Sequence, residues 1–466
     1  HAQRVWIAAG PGNNGGDGLE AAVLLKRTGR DVRVTLCGDA ARLPPDAGDA
    51  LARAQAAGVA IGDTQASAFT RTLAPHDLAI DALLGLGASR TPQGPLAALI
   101  DELNALACPV LAVDLPSGLD AHTGQALGAC VNAAHTLALL TLKPGLYTGH
   151  GRDLSGTVWF DDLGVDPGAA APDAWLIGDA AARAAQAPRR HAQHKGSFGD
   201  VAVVGGAPGI TGAALLAGRA ALASGAGRVF VNLLDEEASL PSVLPTSQPT
   251  LDMLRPELMF RPAWWQGDPG VIASTTVVCG CGGGEAVRAA LPRLLSLAPR
   301  LVLDADALNA VASDAALQAQ LVARASRGHA TVLTPHPLEA ARLLGGTARE
   351  VQADRLRSAQ SLAERFGCTV LLKGSGSIVA APGQVPCINP TGNASLATAG
   401  TGDVLAGWLG GLWAQDGRPE HAFDITAAAA HTHGAAADAA GVAPLRAADL
   451  VEWMLSSDRA VLPAQA

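Results

Sequence analysis

Gly400-Thr401-Gly402-Asp403, directly ahead of an apolar stretch that starts at Val404, is the segment best suited to chemistry. Two glycines let backbone N–H groups converge, and a following helix adds partial positive charge at its N-terminus. Such an anion hole stabilises charge on a migrating phosphoryl group. Asp403, at the helix start, stands where it can take a proton from an attacking hydroxyl. It is the candidate base.

Three more polar, Gly- or Pro-rich segments follow apolar runs in the same half. Gly205-Gly206-Ala207-Pro208-Gly209-Ile210-Thr211-Gly212-Ala213 reads as a glycine turn against a helix N-terminus, an anion site in prospect. In Thr334-Pro335-His336-Pro337-Leu338-Glu339 two prolines hold His336 in an extended loop. Glu339 falls in a first helical turn, where it complements the macrodipole. Lys373-Gly374-Ser375-Gly376-Ser377 reads as a turn between two apolar strands, with amides and hydroxyls free to wrap a phosphate.

The first half carries a different set. Gly10-Pro11-Gly12-Asn13-Asn14-Gly15 matches GxGxxG, and Asp39 after the next strand is placed to reach a ribose. That dinucleotide reading is disfavoured because Asn14, Gly16 and Asp17 make the segment polar where a close-packed helix start is expected. Glycines instead allow close backbone approach, while the amides and carboxylate offer oxygen ligands. Asp81-Ala82-Leu83-Leu84-Gly85 and Asp114-Leu115-Pro116-Ser117-Gly118 each follow a strand and add carboxylates and a hydroxyl to the same rim.

These segments need a frame that presents strand ends. Short β-branched runs alternate with Ala/Leu-rich stretches, which predicts α/β architecture with largely parallel sheets. Strands are expected at 4–8, 32–36, 78–81, 110–113 and 136–140, with a helix over 18–28. A boundary is expected near residue 170. Further strands are expected at 200–204, 228–233, 275–279, 301–303, 331–333 and 369–372. Ligands bind beyond the carboxyl ends of such strands.

Composition narrows the classes. With 466 residues and 49% hydrophobic residues, the chain is long enough for two or three domains with large cores. Lys plus Arg total 33 against 42 Asp plus Glu, a net charge of −9. No basic stripe suggests nucleic acid, and no apolar run approaches a membrane span. Seven cysteines form no CxxC pair, and Cys279-Gly280-Cys281 has no nearby His, so reduced thiols in a reducing cytoplasm are expected rather than a metal site. The sequence opens at His1, without a secretory-leader pattern, directly in a strand-like run; the expectation is that an N-terminal segment is missing.

The first set of motifs resembles the NAD(P)H-hydrate epimerase domain over about residues 4–160. The resemblance implies a Rossmann-like fold over 1–168, a bound potassium ion, and interconversion of the R and S forms of hydrated NAD(P)H. It carries potassium to Asn14, Asp81 and Ser117. It carries substrate contacts to Asn13, Asn14, Gly15, Gly16 and Asp17, to Gly85, Leu86, Gly87, Ala88, Ser89, Arg90 and Thr91, and to Asp114, the candidate acid/base. The family begins with a helical segment ahead of the first strand, absent here.

The second set resembles the ribokinase-like superfamily, and more narrowly the ADP-dependent NAD(P)H-hydrate dehydratase domain, over about residues 175–460. His194-Lys195-Gly196 and Asp304-Ala305-Asp306-Ala307-Leu308-Asn309 join the segments above in that match. The resemblance implies a ribokinase-like α/β domain over 175–466. Ala213, Gly282, His336 and Asp403 would line the hydrated nicotinamide nucleotide. Lys373, Gly374, Ser375, Gly376, Ser377 and Gly402 would bind the adenosine nucleotide, ADP with magnesium. Cys279-Gly280-Cys281-Gly282-Gly283-Gly284 departs from the family's Gly-Pro-Gly-Leu-Gly but keeps its glycine register. Together the two sets imply a bifunctional, homo-oligomeric repair enzyme. The alternative is a vitamin-pathway kinase with a non-catalytic first domain, which would yield a stable phosphorylated product.

Overall fold

In the computed structural model, residues 2–62, 69–87, 90–126, 128–166, 168, 171–184, 189–234 and 251–461 are described. The chain divides into two compact units, His1–Ala171 and Pro172–Ala466.

The first unit is built on seven strands: β1 (Arg4–Ala9), β2 (Asp31–Leu36), β3 (Ala60–Gly62), β4 (Leu78–Ala82), β5 (Val110–Val113), β6 (His135–Leu139) and β7 (Thr157–Asp161). Their order is β3-β2-β1-β4-β5-β6-β7, and every pairing is parallel. Strands buried on both faces read as continuous apolar runs, and β1, with Val5 through Ala9 buried, does so. The order reverses direction between β1 and β4, which opens a crevice at their carboxyl ends.

The second unit carries β8 (Trp175–Leu176), β9 (Asp200–Gly205), β10 (Arg228–Leu233), β11 (Met259–Phe260), β12 (Thr276–Cys279), β13 (Arg300–Leu303), β14 (Ala330–Leu333), β15 (Thr369–Leu372), β16 (Ile378–Ala380) and β17 (Cys387–Ile388). The order is β11-β10-β9-β12-β13-β14-β15-β16-β17-β8. β11 through β15 in that order pair in parallel; β16 and β17 join antiparallel, and β8 pairs in parallel with β17. Helix Thr401–Asp416 crosses this core against helix Thr211–Ala223. The crossing needs glycine: a Cβ on Gly407 would lie 2.0 Å from the Ala217 carbonyl oxygen.

The expected strands are present to within a residue or so at each end. The strands not expected are β7, of five residues, and β3, β8, β11 and β17, of two or three each, too few for an alternating pattern to declare itself. All seven cysteines are free. Among the described residues, no helix is long and apolar enough to cross a membrane.

Candidate functional site

In the first unit the polar segments meet beyond β1, β4 and β5. Gly10 donates its N–H to the Ala82 carbonyl at 3.0 Å, and a Cβ there would strike the Leu83 oxygen at 1.7 Å. The segment expected as a polar loop is instead the start of a helix, Asn13–Arg27, capped by Gly12 without a side-chain bond. Its Asn-Asn-Gly-Gly opening has poor helix propensity, but Gly15 packs directly on the Gly10 carbonyl, where a Cβ would lie 2.0 Å away, so packing overrides propensity. Asn14, Gly15 and Gly16 are buried in that first turn, while Asn13 and Asp17 are exposed. Asp39, offered as a ribose ligand, caps the turn Ala40–Arg42 by accepting from Ala41 N.

Asp81, at the end of β4, is fully buried. Its Oδ2 accepts from Ser117 N at 2.8 Å, and its Oδ1 accepts from Ser117 Oγ at 2.7 Å and from Leu83 N at 3.2 Å. Ser117 Oγ in turn accepts from Leu84 N at 2.9 Å, and Asn14 Nδ2 donates to the Leu84 carbonyl at 3.0 Å. The three residues assigned to potassium are thus joined in one cluster. Burial pushes the Asp81 carboxyl up to about 6 against the lowering effect of its Ser117 and Leu83 hydrogen bonds. Among the described residues, no basic side chain pairs with it.

Asp114 sits at φ 72, a left-handed conformation uncommon for a non-glycine residue. Its carboxylate forms a largely buried ion pair with Lys143, whose Nζ also donates to the Leu139 carbonyl at 2.7 Å. Partial desolvation at the carboxyl end of the otherwise exposed Asp17, and then the Asp114 charge, push that carboxyl up. A Cβ on Gly85 would lie 3.3 Å from the Asn14 Cβ. Leu86, Gly87, Arg90 and Thr91 continue that loop at the surface, and Ala88 and Ser89 lie outside the described residues. Sequence reasoning missed Lys143. Nothing in Thr141-Leu142-Lys143-Pro144 marks a lysine that folds back onto Asp114.

In the second unit the loops after β9, β12, β13, β14 and β15 converge on the start of helix Thr401–Asp416. Gly206 N donates to the Cys281 carbonyl at 2.9 Å and Ala207 N to the Gly282 carbonyl at 2.7 Å. A Cβ on Gly282 would lie 2.8 Å from the Ala213 Cβ, so these two predicted substrate residues are neighbours. Gly400 caps the helix at φ 94, and Asp403 lies in its first turn.

The centre is Asp304, at the end of β13 and almost wholly buried. Its Oδ1 accepts from Lys373 Nζ and from Thr334 Oγ1, each at 2.7 Å. The next residue, Ala305, adopts φ 47. A Cβ on Gly402 would meet Lys373 Nζ at 3.2 Å, so the anion hole and the lysine share one space. Burial disfavours the Lys373 ammonium, but Asp304 and Glu339 outweigh it and hold the group above its ordinary range. Burial first, and then the Asp304 charge, push Asp403 up to about 6, against lowering by its bond with Cys281 and by Lys373.

His336 caps helix Pro337–Leu344: its Nδ1 accepts from Leu338 N at 3.1 Å and Glu339 N at 3.3 Å. Burial and Lys373 lower its pKa, which keeps the ring neutral. Glu339 is buried and accepts from His336 N at 2.8 Å, closing a capping box rather than only facing the helix dipole. The turn Lys373 to Ser377 links antiparallel β15 and β16. Arg355 supports it from beneath, donating to the carbonyls of Leu372, Lys373 and Gly376 at 3.2–3.3 Å. His194 is exposed and caps its own turn through Gly196 N. His433, buried on helix Ala422–Ala440, holds its Nε2 3.0 Å from the Thr401 carbonyl, directly behind the anion hole. The sequence marks Asp304 only as part of a motif, with no role attached, although the strand-end rule points to it. Arg355 and His433 lie in ordinary helical sequence and gave no signal.

The family profile described as NAD(P)H-hydrate dehydratase matches residues 201–452, and that of the YjeF-related protein N-terminus matches residues 1–145. The bifunctional NAD(P)H-hydrate repair enzyme of Escherichia coli K12 is 38% identical over 93% of this chain and 80% of its own length. The chain belongs to the bifunctional NAD(P)H-hydrate repair enzymes. The Leishmania major repair enzyme is also 38% identical, over 94% of this chain and 81% of its own length. A ribokinase-like superfamily protein from Enterococcus faecalis superposes with a TM-score of 0.50 at 21% identity, covering 63% of this chain and 99% of that one. That likeness supports the fold of the second unit alone. As a member of this family the chain joins an epimerase unit to a dehydratase unit, and the vitamin-pathway kinase reading is not favoured.

Proposed function

We propose that the first unit interconverts the R and S forms of hydrated NADH and NADPH, and that the second dehydrates the S form with ADP, releasing AMP and phosphate. The observation that carries the dehydratase reading is Asp403 beside Gly402, Lys373 and Asp304. A carboxylate lifted to about 6 is mostly ionised at neutral pH yet more basic than an ordinary one, which suits a general base. Asp403 takes the proton of the C6 hydroxyl. The oxygen then bonds to the β-phosphorus of ADP while the bond to AMP breaks. The amides at Gly400 to Gly402 and the Lys373 ammonium hold the transferring group. The C6–O bond next breaks with its electrons leaving on phosphate, C5 loses a proton, and the dihydronicotinamide is restored. Magnesium suits the phosphate oxygens and the Asp304 carboxylate, which would leave Asp403 free as the base; bound with ADP it would offset the phosphate charge. Ala213, Gly282 and His336 line the nicotinamide side. The turn Lys373, Gly374, Ser375, Gly376 and Ser377 meets the adenosine nucleotide.

In the epimerase unit, C6 carries both the ring nitrogen and the hydroxyl. Heterolysis of C6–O gives a planar iminium that water can re-enter from either face. Lys143 and Asp114 are placed to give a proton to the departing hydroxyl and take one from the returning water. The first-turn amides of Asn13–Arg27 favour the substrate's phosphates. Potassium fits the cluster at Asn14, Asp81 and Ser117, because a buried carboxylate held only by neutral donors gains from a cation. These residues would hold it, and the charge it supplies would keep Asp81 ionised. We infer that the enzyme works on these small molecules as a homo-oligomer in the cytoplasm.

The test is an epimer-resolved assay on the intact chain. With ADP, pure S hydrate should regain the near-ultraviolet absorbance of the reduced nicotinamide, and R hydrate should do so after conversion. A phosphorylated nucleotide that accumulates unchanged would overturn the dehydratase reading. Asp114→Ala should slow conversion of R while sparing dehydration of pure S; loss of both would contradict two separate sites.

A further inference from the structure

Cys281, Asp304 and Asp403 arrive from three different elements: the loop after β12, the end of β13, and the first turn of helix Thr401–Asp416. One ligand atom from each lies within 4.8 Å of the others. The Asp304 carboxylate is 1% exposed, and its two oxygens are used unequally. Oδ1 accepts from Lys373 and Thr334, whereas Oδ2 faces Cys281 Sγ at 4.0 Å, a weak contact for a buried charge. The proposed reaction gives the thiol no task.

We propose that Cys281, Asp304 and Asp403 form a binding site for a thiophilic divalent cation of the zinc type, and that its occupation silences the dehydratase unit. Zinc is held by thiolate at about 2.3 Å and carboxylate oxygen at about 2.0–2.2 Å, so the three atoms must each close by only about 1 Å. Three protein ligands leave a fourth, open position on the exposed side of Asp403. The charges balance: a thiolate and two carboxylates face a divalent cation and the Lys373 ammonium. Without a metal the thiol carries its proton, as an ordinary cysteine does below about pH 8.5. Binding therefore breaks S–H, forms the sulfur–metal bond and releases one proton to solvent. Magnesium, which demands oxygen ligands, does not compete for the sulfur. A coordinated Asp403 can no longer accept the substrate proton, so dehydration stops while epimerisation continues.

The inhibition rests on the base role proposed for Asp403; the binding does not. Cobalt(II), added to the full chain without nucleotide, is the probe. One equivalent should produce a near-ultraviolet sulfur-to-cobalt charge-transfer band with release of one proton. Cys281→Ser should lose the band and bind zinc about a hundredfold more weakly or worse. Cys279→Ser, whose thiol lies outside the cluster, should keep it. Cys281→Ala serves if the serine variant fails to fold. No band in the unaltered protein, or a band that survives loss of the Cys281 thiol, overturns the site. Zinc should abolish dehydration, leave epimerisation unchanged, and lose its effect in the Cys281 variants. A cobalt band with undiminished dehydration would keep the metal site and overturn the base role of Asp403 instead.

Discussion

Each unit brings a buried carboxylate to the carboxyl end of a parallel strand, and the two neutralise it in different ways. Asp81 is enclosed by neutral donors from Ser117 and Leu83, whereas Asp304 is met by the Lys373 ammonium and the Thr334 hydroxyl. Both sites hold a non-glycine residue in the left-handed region, Asp114 at φ 72 and Ala305 at φ 47, strain of order 1–3 kcal/mol that the surrounding structure must offset. The difference lies in the cation. The dehydratase unit carries its own in Lys373 and keeps a second carboxylate, Asp403, available as a base. Among the described residues the epimerase unit has none beside Asp81; under the proposed function it takes one from solution.

The largest expected effect tests whether the second carboxylate has that role. Asp403→Asn keeps the shape and removes the base. Dehydration of S hydrate should fall by about a thousandfold, while ADP binding by calorimetry and epimerisation by chromatography persist. Near-normal turnover would make Asp403 a helix-capping acid and erase the contrast between the units.

Next in size is the internal cation itself. Lys373→Met retains most of the side-chain volume and leaves Asp304 buried without a counter-charge. Removing one partner of a buried pair costs about 3–5 kcal/mol, so the dehydratase unit should unfold at clearly lower denaturant. Adding Asp304→Asn should recover part of that loss. A double variant that simply sums the two single effects would show that the pair is not coupled.

The sequence made the strand ends legible because parallel strands are short apolar runs followed by turns, and every long run proved to be a strand. That logic leads to Asp81 and Asp114, whereas Asp403 is read from the glycine pair ahead of an apolar helix. The start of helix Asn13–Arg27 was misplaced because Asn13 to Gly16 avoid helix when judged locally; only the contact of Gly15 with Gly10 accounts for it. Lys143, Arg355 and His433 were invisible for a related reason. Each acts across a fold-dependent contact that no local periodicity or composition encodes.

His433 offers a smaller effect with a definite sign. Unfolded, its imidazole titrates near 6.5; folded, burial holds it down to about 4, against the raising effect of its bond to the Thr401 carbonyl. Between these values the unfolded chain binds more protons. Stability from this group is therefore complete above about pH 6.5 and is lost as pH falls toward 4, by up to about 3 kcal/mol. His433→Gln should flatten that part of the stability profile of the dehydratase unit. An unchanged acid slope in the variant would assign the loss to other groups.

The smallest effect bears most directly on the contrast between the two carboxylates. If Asp81 depends on an external cation, potassium stabilises the epimerase unit by mass action, about 1.4 kcal/mol at ten times its Kd. Thermal unfolding in potassium chloride against tetramethylammonium chloride at equal ionic strength isolates that term, because general screening is then the same in both. Asp81→Asn removes the charge that a cation would meet, so the difference between the two salts should vanish in the variant. The dehydratase unit, with Lys373 already on Asp304, should respond alike to both salts. A potassium response that survives Asp81→Asn would move the ion elsewhere and leave Asp81 as a carboxylate whose burial is supported by hydrogen bonds alone.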